Sequence, residues 1–120
     1  MKKSLLFILG VVFVSISACE YNYIEPVEVE LPDDPVSFAE QIEPIFQDKC
    51  ATCHATTNPV LTTGDAYDNL IDGNYIDTEN PEASSLYTKV DEGHPGGNSA
   101  LNATELALIL KWIEEGAENN

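Results

Sequence analysis

The chain contains no arginine, and its only methionine is Met1. Five lysines stand against 21 aspartates and glutamates, a formal charge of −16. So few cations exclude binding of nucleic acid, whose phosphates such a chain repels. They equally exclude docking on an anionic lipid surface by charge alone. Three cysteines are too few, and odd in number, for a disulfide framework. The longest apolar run, Leu5 to Ile16, is broken by Gly10 and Ser15 and is short for a permanent membrane span. No internal repeat is visible, no nucleophile and base stand at helpful spacing, and the carboxylates are scattered. A chain of 120 residues holds one small domain with a modest core.

The first residues read as an export signal. Lys2 and Lys3 form a positive start, the apolar run follows, and it ends at Ile16-Ser17-Ala18-Cys19. That tetrapeptide resembles the lipobox of bacterial lipoproteins, in which the cysteine is lipidated and becomes the first mature residue. The alternative is an ordinary signal with a chance cysteine. Lipidation accounts for the odd thiol, and a multi-chain anchor holds a small protein durably at a membrane. Removal of residues 1–18 leaves 102 residues with Lys49, Lys89 and Lys111 against all 21 acidic residues, or −18. That charge suits a docking face for a basic partner, and equally the solubility of an exported protein.

Against this background Cys50-Ala51-Thr52-Cys53-His54 stands out. Cys-x-x-Cys-His is the attachment pattern of c-type haem. Two thiols three apart can each form a thioether to one vinyl group of the same porphyrin. The histidine beside the second thiol then lies under the iron, where imidazole serves as proximal ligand.

The surrounding sequence predicts short helices. Residues 19–35 read as an acidic, proline-interrupted tether, with Val27, Val29 and Leu31 alternating as in a short strand. The folded domain is expected over 36–118. Ser37-Phe38-Ala39-Glu40 has the capping-box pattern, and Phe38, Ile42, Ile45 and Phe46 form an apolar stripe. Pro44 should kink or split this helix. Thr63-Gly64-Asp65 starts a second helix carrying Tyr67, Leu70 and Ile71 inward, and Pro81 opens another with Leu86, Tyr87 and Val90 buried. Residues 72–80 and 91–100 read as loops. Asn102 to Glu105 caps the last helix, where Leu106, Ile109, Leu110 and Ile113 recur at helical spacing and Gly116 follows as the terminator. Trp112 is expected where the last helix meets the first.

Two terminal helices flanking the attachment motif resemble class I c-type cytochromes, and more closely the small cytochrome c domains of planctomycetes and Bacteroidetes lipoproteins. The residues that carry this are Pro44-Ile45-Phe46, Cys50 to His54, Ser84-Ser85-Leu86-Tyr87, His94-Pro95 and Trp112 to Ala117. The resemblance implies an all-α fold of four to five helices around one covalent haem c. Cys50 and Cys53 would be the thioether sites and His54 the proximal iron ligand. Such domains often place a Met-Pro pair before the last helix, the methionine being the distal ligand. Here that place holds His94-Pro95, and no methionine remains after export. Either His94 binds the iron, giving bis-histidine ligation and a lower potential, or the iron is open and His94 is a loop histidine. The carboxylates should also favour ferric iron.

Rival chemistries fit less well. Cys50, Cys53, His54 and His94 make a formal zinc set, but adjacent Cys53 and His54 would strain to reach one tetrahedral centre. A thioredoxin-like pair lacks its strand–helix context. A disulfide between Cys50 and Cys53 leaves the histidine unexplained. Asp72 to Asp77 lacks the ligand placement of a calcium loop. Asn102-Ala103-Thr104 fits a glycosylation acceptor, though a helix cap is simpler. Tyr67, Tyr75, Tyr87 and Trp112 are candidates to line a haem pocket or bond a propionate. The expectation is therefore an electron carrier rather than an enzyme, lipid-anchored on the periplasmic or outer-membrane side of a bacterial envelope and serving redox partner proteins. Alternatives are a haem sensor with a displaceable sixth position and an accessory subunit of a larger oxidoreductase.

Overall fold

The computed structural model describes residues 29–93 and 101–120. Among these every regular element is helical and no strand forms. Four α-helices follow in order: α1 (Glu43–Lys49), α2 (Ala66–Asp72), α3 (Ser85–Asp91) and α4 (Ala103–Glu114). A π-helical turn, Phe38–Ile42, precedes α1, and a 3₁₀ turn, Pro81–Ala83, precedes α3. No described helix is long and apolar enough to cross a membrane. The export segment, Cys19, Val27 and the loop from His94 to Ala100 lie outside the described residues. Val29 and Leu31 belong to no regular element.

Pro44 explains the shape of the first segment. It has no N–H to give to Glu40 and its ring crowds that carbonyl. The chain widens beforehand into a turn with i to i+5 bonds, Ile42 N–H reaching the Ser37 carbonyl at 3.3 Å and Glu43 N–H reaching Phe38. α1 then restarts with Pro44 in its first turn, where no N–H is needed. The extra residue also alters the cap. Ser37 Oγ accepts from Glu40 N–H at 3.2 Å as expected. The reciprocal bond, from Ser37 N–H, goes to Gln41 Oε1 at 2.9 Å and not to Glu40. All four stripe residues are buried.

The last helix follows its sequence signals closely. Asn102 and Glu105 form a reciprocal capping box, with bonds of 2.8 and 2.9 Å. At the other end Ala117 N–H bonds Trp112 O at 2.9 Å and Gly116 N–H bonds Ile113 O at 3.0 Å. This is the paired-bond Schellman ending, with Gly116 at φ +103°. Trp112 is buried against Phe38, ring centroids 5.2 Å apart. Tyr67 meets Phe38 edge-on at 5.3 Å, and Phe46 lies 6.3 Å from it. These rings weld α4 to the first turn, at about 1.5–3 kcal/mol per large side chain buried and more from ring geometry.

The tail returns to the beginning. Trp112 Nε1–H donates to Glu118 O at 2.9 Å, and Tyr67 O–H to Ala117 O at 3.1 Å. Phe38 N–H donates to Asn120 Oδ1 at 2.8 Å, and Ala39 N–H and Ser37 Oγ–H to Asn120 O at 3.0 Å each. Open N–H groups of the first turn thus find acceptors at the far end of the chain. Ile71 is the departure from expectation on α2: it is 40% exposed, whereas Ala66 and Leu70 are buried. In a seven-residue helix the i, i+4 pair sets the inner face, and Ile71 lies about 100° from it.

Gly116→Ala should destabilise the domain by about 1 kcal/mol or more, because alanine resists positive φ. A Cβ there meets no atom within 4 Å, so the cost is in the backbone alone. Urea unfolding should show a lower midpoint at unchanged slope.

Candidate functional site

Cys50 is the C-cap of α1. Its N–H and that of Ala51 both reach Phe46 O, at 2.9 and 2.8 Å. The chain makes one more helical turn, with Cys53 N–H and His54 N–H both on Cys50 O, at 3.1 and 2.9 Å. At i, i+3 and i+4 of such a turn the three reactive side chains fall on one side. Their burial differs. Cys50 packs half-buried against the core, Cys53 is exposed, and His54 is half-buried. Both thiols are free.

The residues after His54 form a loop closed by Leu61 N–H to His54 O at 2.9 Å. Gln47 on α1 reinforces the closure through Nε2–H to Leu61 O at 3.0 Å, and Leu61 is buried. Inside the loop two carbonyls turn toward the imidazole. His54 Nδ1 lies 2.8 Å from Pro59 O and 3.2 Å from Thr57 O. A carbonyl oxygen only accepts, so Nδ1 carries a proton, and in the neutral ring the lone pair resides on Nε2. Histidines that ligate metals are ordinarily oriented through such a second hydrogen bond to a carbonyl or carboxylate. Sequence reasoning does not single out Pro59 or Gln47. A proline five residues past the motif is the available signal for the first; Gln47 offers none.

The electrostatics argue against a redox dithiol. Burial pushes the Cys50 thiol above its ordinary value, and the neighbouring Cys53 and Glu105 push it the same way. A reactive Cys-x-x-Cys pair requires the opposite shift. Among the described residues no group of three or more His, Cys, Asp and Glu side chains assembles to hold a metal ion.

Other expected residues divide. Tyr67 is committed to the aromatic core and to the Ala117 carbonyl. Tyr87 is half-buried. Burial, then Asp91, Glu82 and Glu114, push its phenol up, so it stays a neutral donor. Leu86, Ile109 and Ile113 are buried, whereas Val90, Leu106 and Leu110 are only half-buried, as is Leu101 before α4. His94 and Cys19 lie outside the described residues. No protein-family model, no curated protein and no solved structure matches this chain.

In protein made without haem attachment, Cys53 should alkylate well before Cys50 at pH 8, read by peptide mass mapping, the gap narrowing as pH rises. The raised Cys50 value also gives a pH signature. Its stabilising contribution is complete below the unfolded thiol range and is lost as pH rises through the higher folded value. Cys50→Ser in the same apo form should flatten that alkaline loss of stability, followed by urea midpoints against pH.

Proposed function

We propose that this chain is a monohaem c-type cytochrome domain of class I type, lipid-anchored through Cys19 in the bacterial envelope, which passes single electrons. The observation that carries the reading is the His54 imidazole. It is held by the Pro59 carbonyl through Nδ1–H, on the same helical turn as two free thiols. A disulfide or a reactive dithiol has no use for that arrangement; a thioether-bound porphyrin with one axial histidine uses every part of it.

Cys50 and Cys53 would hold the porphyrin through thioethers, and His54 Nε2 would face the iron. When bound, haem supplies a one-electron ferric–ferrous couple. The chain's own contribution is orientation and environment. The Pro59 carbonyl fixes the ring and raises the basicity of Nε2. Cys50, seated against the core, leaves little freedom in where the attached group lies. Val90, Leu101, Leu106 and Leu110, half-buried on and beside α3 and α4, offer the apolar area that a porphyrin needs to shed water. The chain's carboxylates favour the more positive ferric state. His94 is the candidate distal ligand on sequence grounds, since no methionine follows Met1 to serve. Such a chain makes no bond in a substrate. Its partners would be redox proteins, and one with a basic face would meet its charge.

Protein matured with the haem-attachment machinery should carry one covalent porphyrin by mass and give a c-type reduced-minus-oxidised spectrum. The pair Cys50→Ala and Cys53→Ala should abolish both, and a wild-type chain without porphyrin overturns the proposal. His94→Ala should convert a low-spin ferric spectrum to high-spin. A wild-type spectrum that is already high-spin, with avid carbon monoxide binding, would instead favour a sensor with an open sixth position.

A further inference from the structure

Lys111 is more enclosed than Lys49. Its side chain is 18% exposed, against 30% for Lys49, which sits beside Asp48. Lys111 stands two turns into α4, and its ammonium meets three acceptors: the carbonyls of Pro32 and Asp34, the latter at 3.2 Å, and Glu115 Oε1 at 3.4 Å. An ammonium has three N–H donors, so its capacity is filled. The other oxygen of that carboxylate, Glu115 Oε2, accepts from Val36 N–H at 2.7 Å. Val36 itself is buried. One ion pair on a single face of α4 therefore grips the incoming backbone at three points, residues 32, 34 and 36.

The residues gripped suit the task. Pro32 and Pro35 have no N–H to satisfy, so this stretch offers chiefly carbonyls, and a cation is the matching partner. Charge-assisted bonds to carbonyls in a half-buried setting outweigh an exposed ion pair.

We propose that Lys111 and Glu115 form a clip that binds residues 32–36 to α4, so that the chain leaves the domain at Pro32 and not at Val36. The clip itself is independent of any cofactor. Its meaning at a membrane rests on the lipid-anchor reading of Cys19. From Cys19 to Pro32 is thirteen residues, a reach of at most about 45 Å; release to Val36 would extend it to about 60 Å.

The test is amide hydrogen exchange on the full mature protein and its Lys111→Met variant, which keeps the apolar stem and loses the ammonium. The readout is the exchange of Val36 relative to Ile109 and Ile113 in the same molecule. A tenfold or greater rise in that ratio supports the clip. An unchanged ratio overturns it, whether or not the variant is less stable overall, because global loosening speeds all three amides together. Porphyrin content and Cys19 lipidation are read separately by mass, so a chain lacking either still reports on the clip.

Discussion

The contact between Phe38 and Trp112 joins residues 74 positions apart, and the other described elements are strung between its partners. Neither segment has a complete apolar partner without the other. Tyr67 and Phe46 complete the ring cluster, Ile42, Ile109 and Ile113 surround it, and the tail at Ala117 to Asn120 closes over it with hydrogen bonds. For so small a domain this cluster is most of the available core, and substitutions in it should be felt throughout.

From that crossing the position of the reactive turn follows. α1 is held by Ile45 and Phe46, and Cys50 is the next residue the helix can place. The half-burial of Cys50 is therefore a consequence of core packing, as is the exposure of Cys53 three residues on. The loop behind His54 is held at Leu61, itself a core residue. The Pro59 carbonyl thus reaches the imidazole from a loop whose two ends are both tied to packed structure. The Nδ1–H of His54 is in this way committed to orienting the ring, and the proposal for this turn builds on that.

Much of this is legible from residue order. The capping box at Asn102, the terminator at Gly116, the break at Pro44 and the stripe from Phe38 to Phe46 are all local devices, and each is found where its residues stand. The placement of Trp112 comes from periodicity together with the expectation that an apolar last helix needs an apolar first one. The departures have one cause. Ile71 is exposed, Leu106 and Leu110 are half-buried, and Gln41 takes the role expected of Glu40. In each case a residue of suitable type is present, and the outcome depends on a neighbouring element or on one extra residue in a turn.

The linear order of residues by itself determined the helical segments, their ends, the strong negative charge and the adjacency of two thiols and an imidazole. These depend on contacts within about four positions, or on simple sums. Only the tertiary structure decided which imidazole nitrogen holds the proton, how deeply each thiol sits, and where the incoming chain is fastened to α4. They turn on a loop carbonyl five residues from the imidazole and on pairs far apart along the backbone, Gln47 with Leu61 and Lys111 with Pro32. No spacing rule records such pairs, because folding alone brings them within bonding distance.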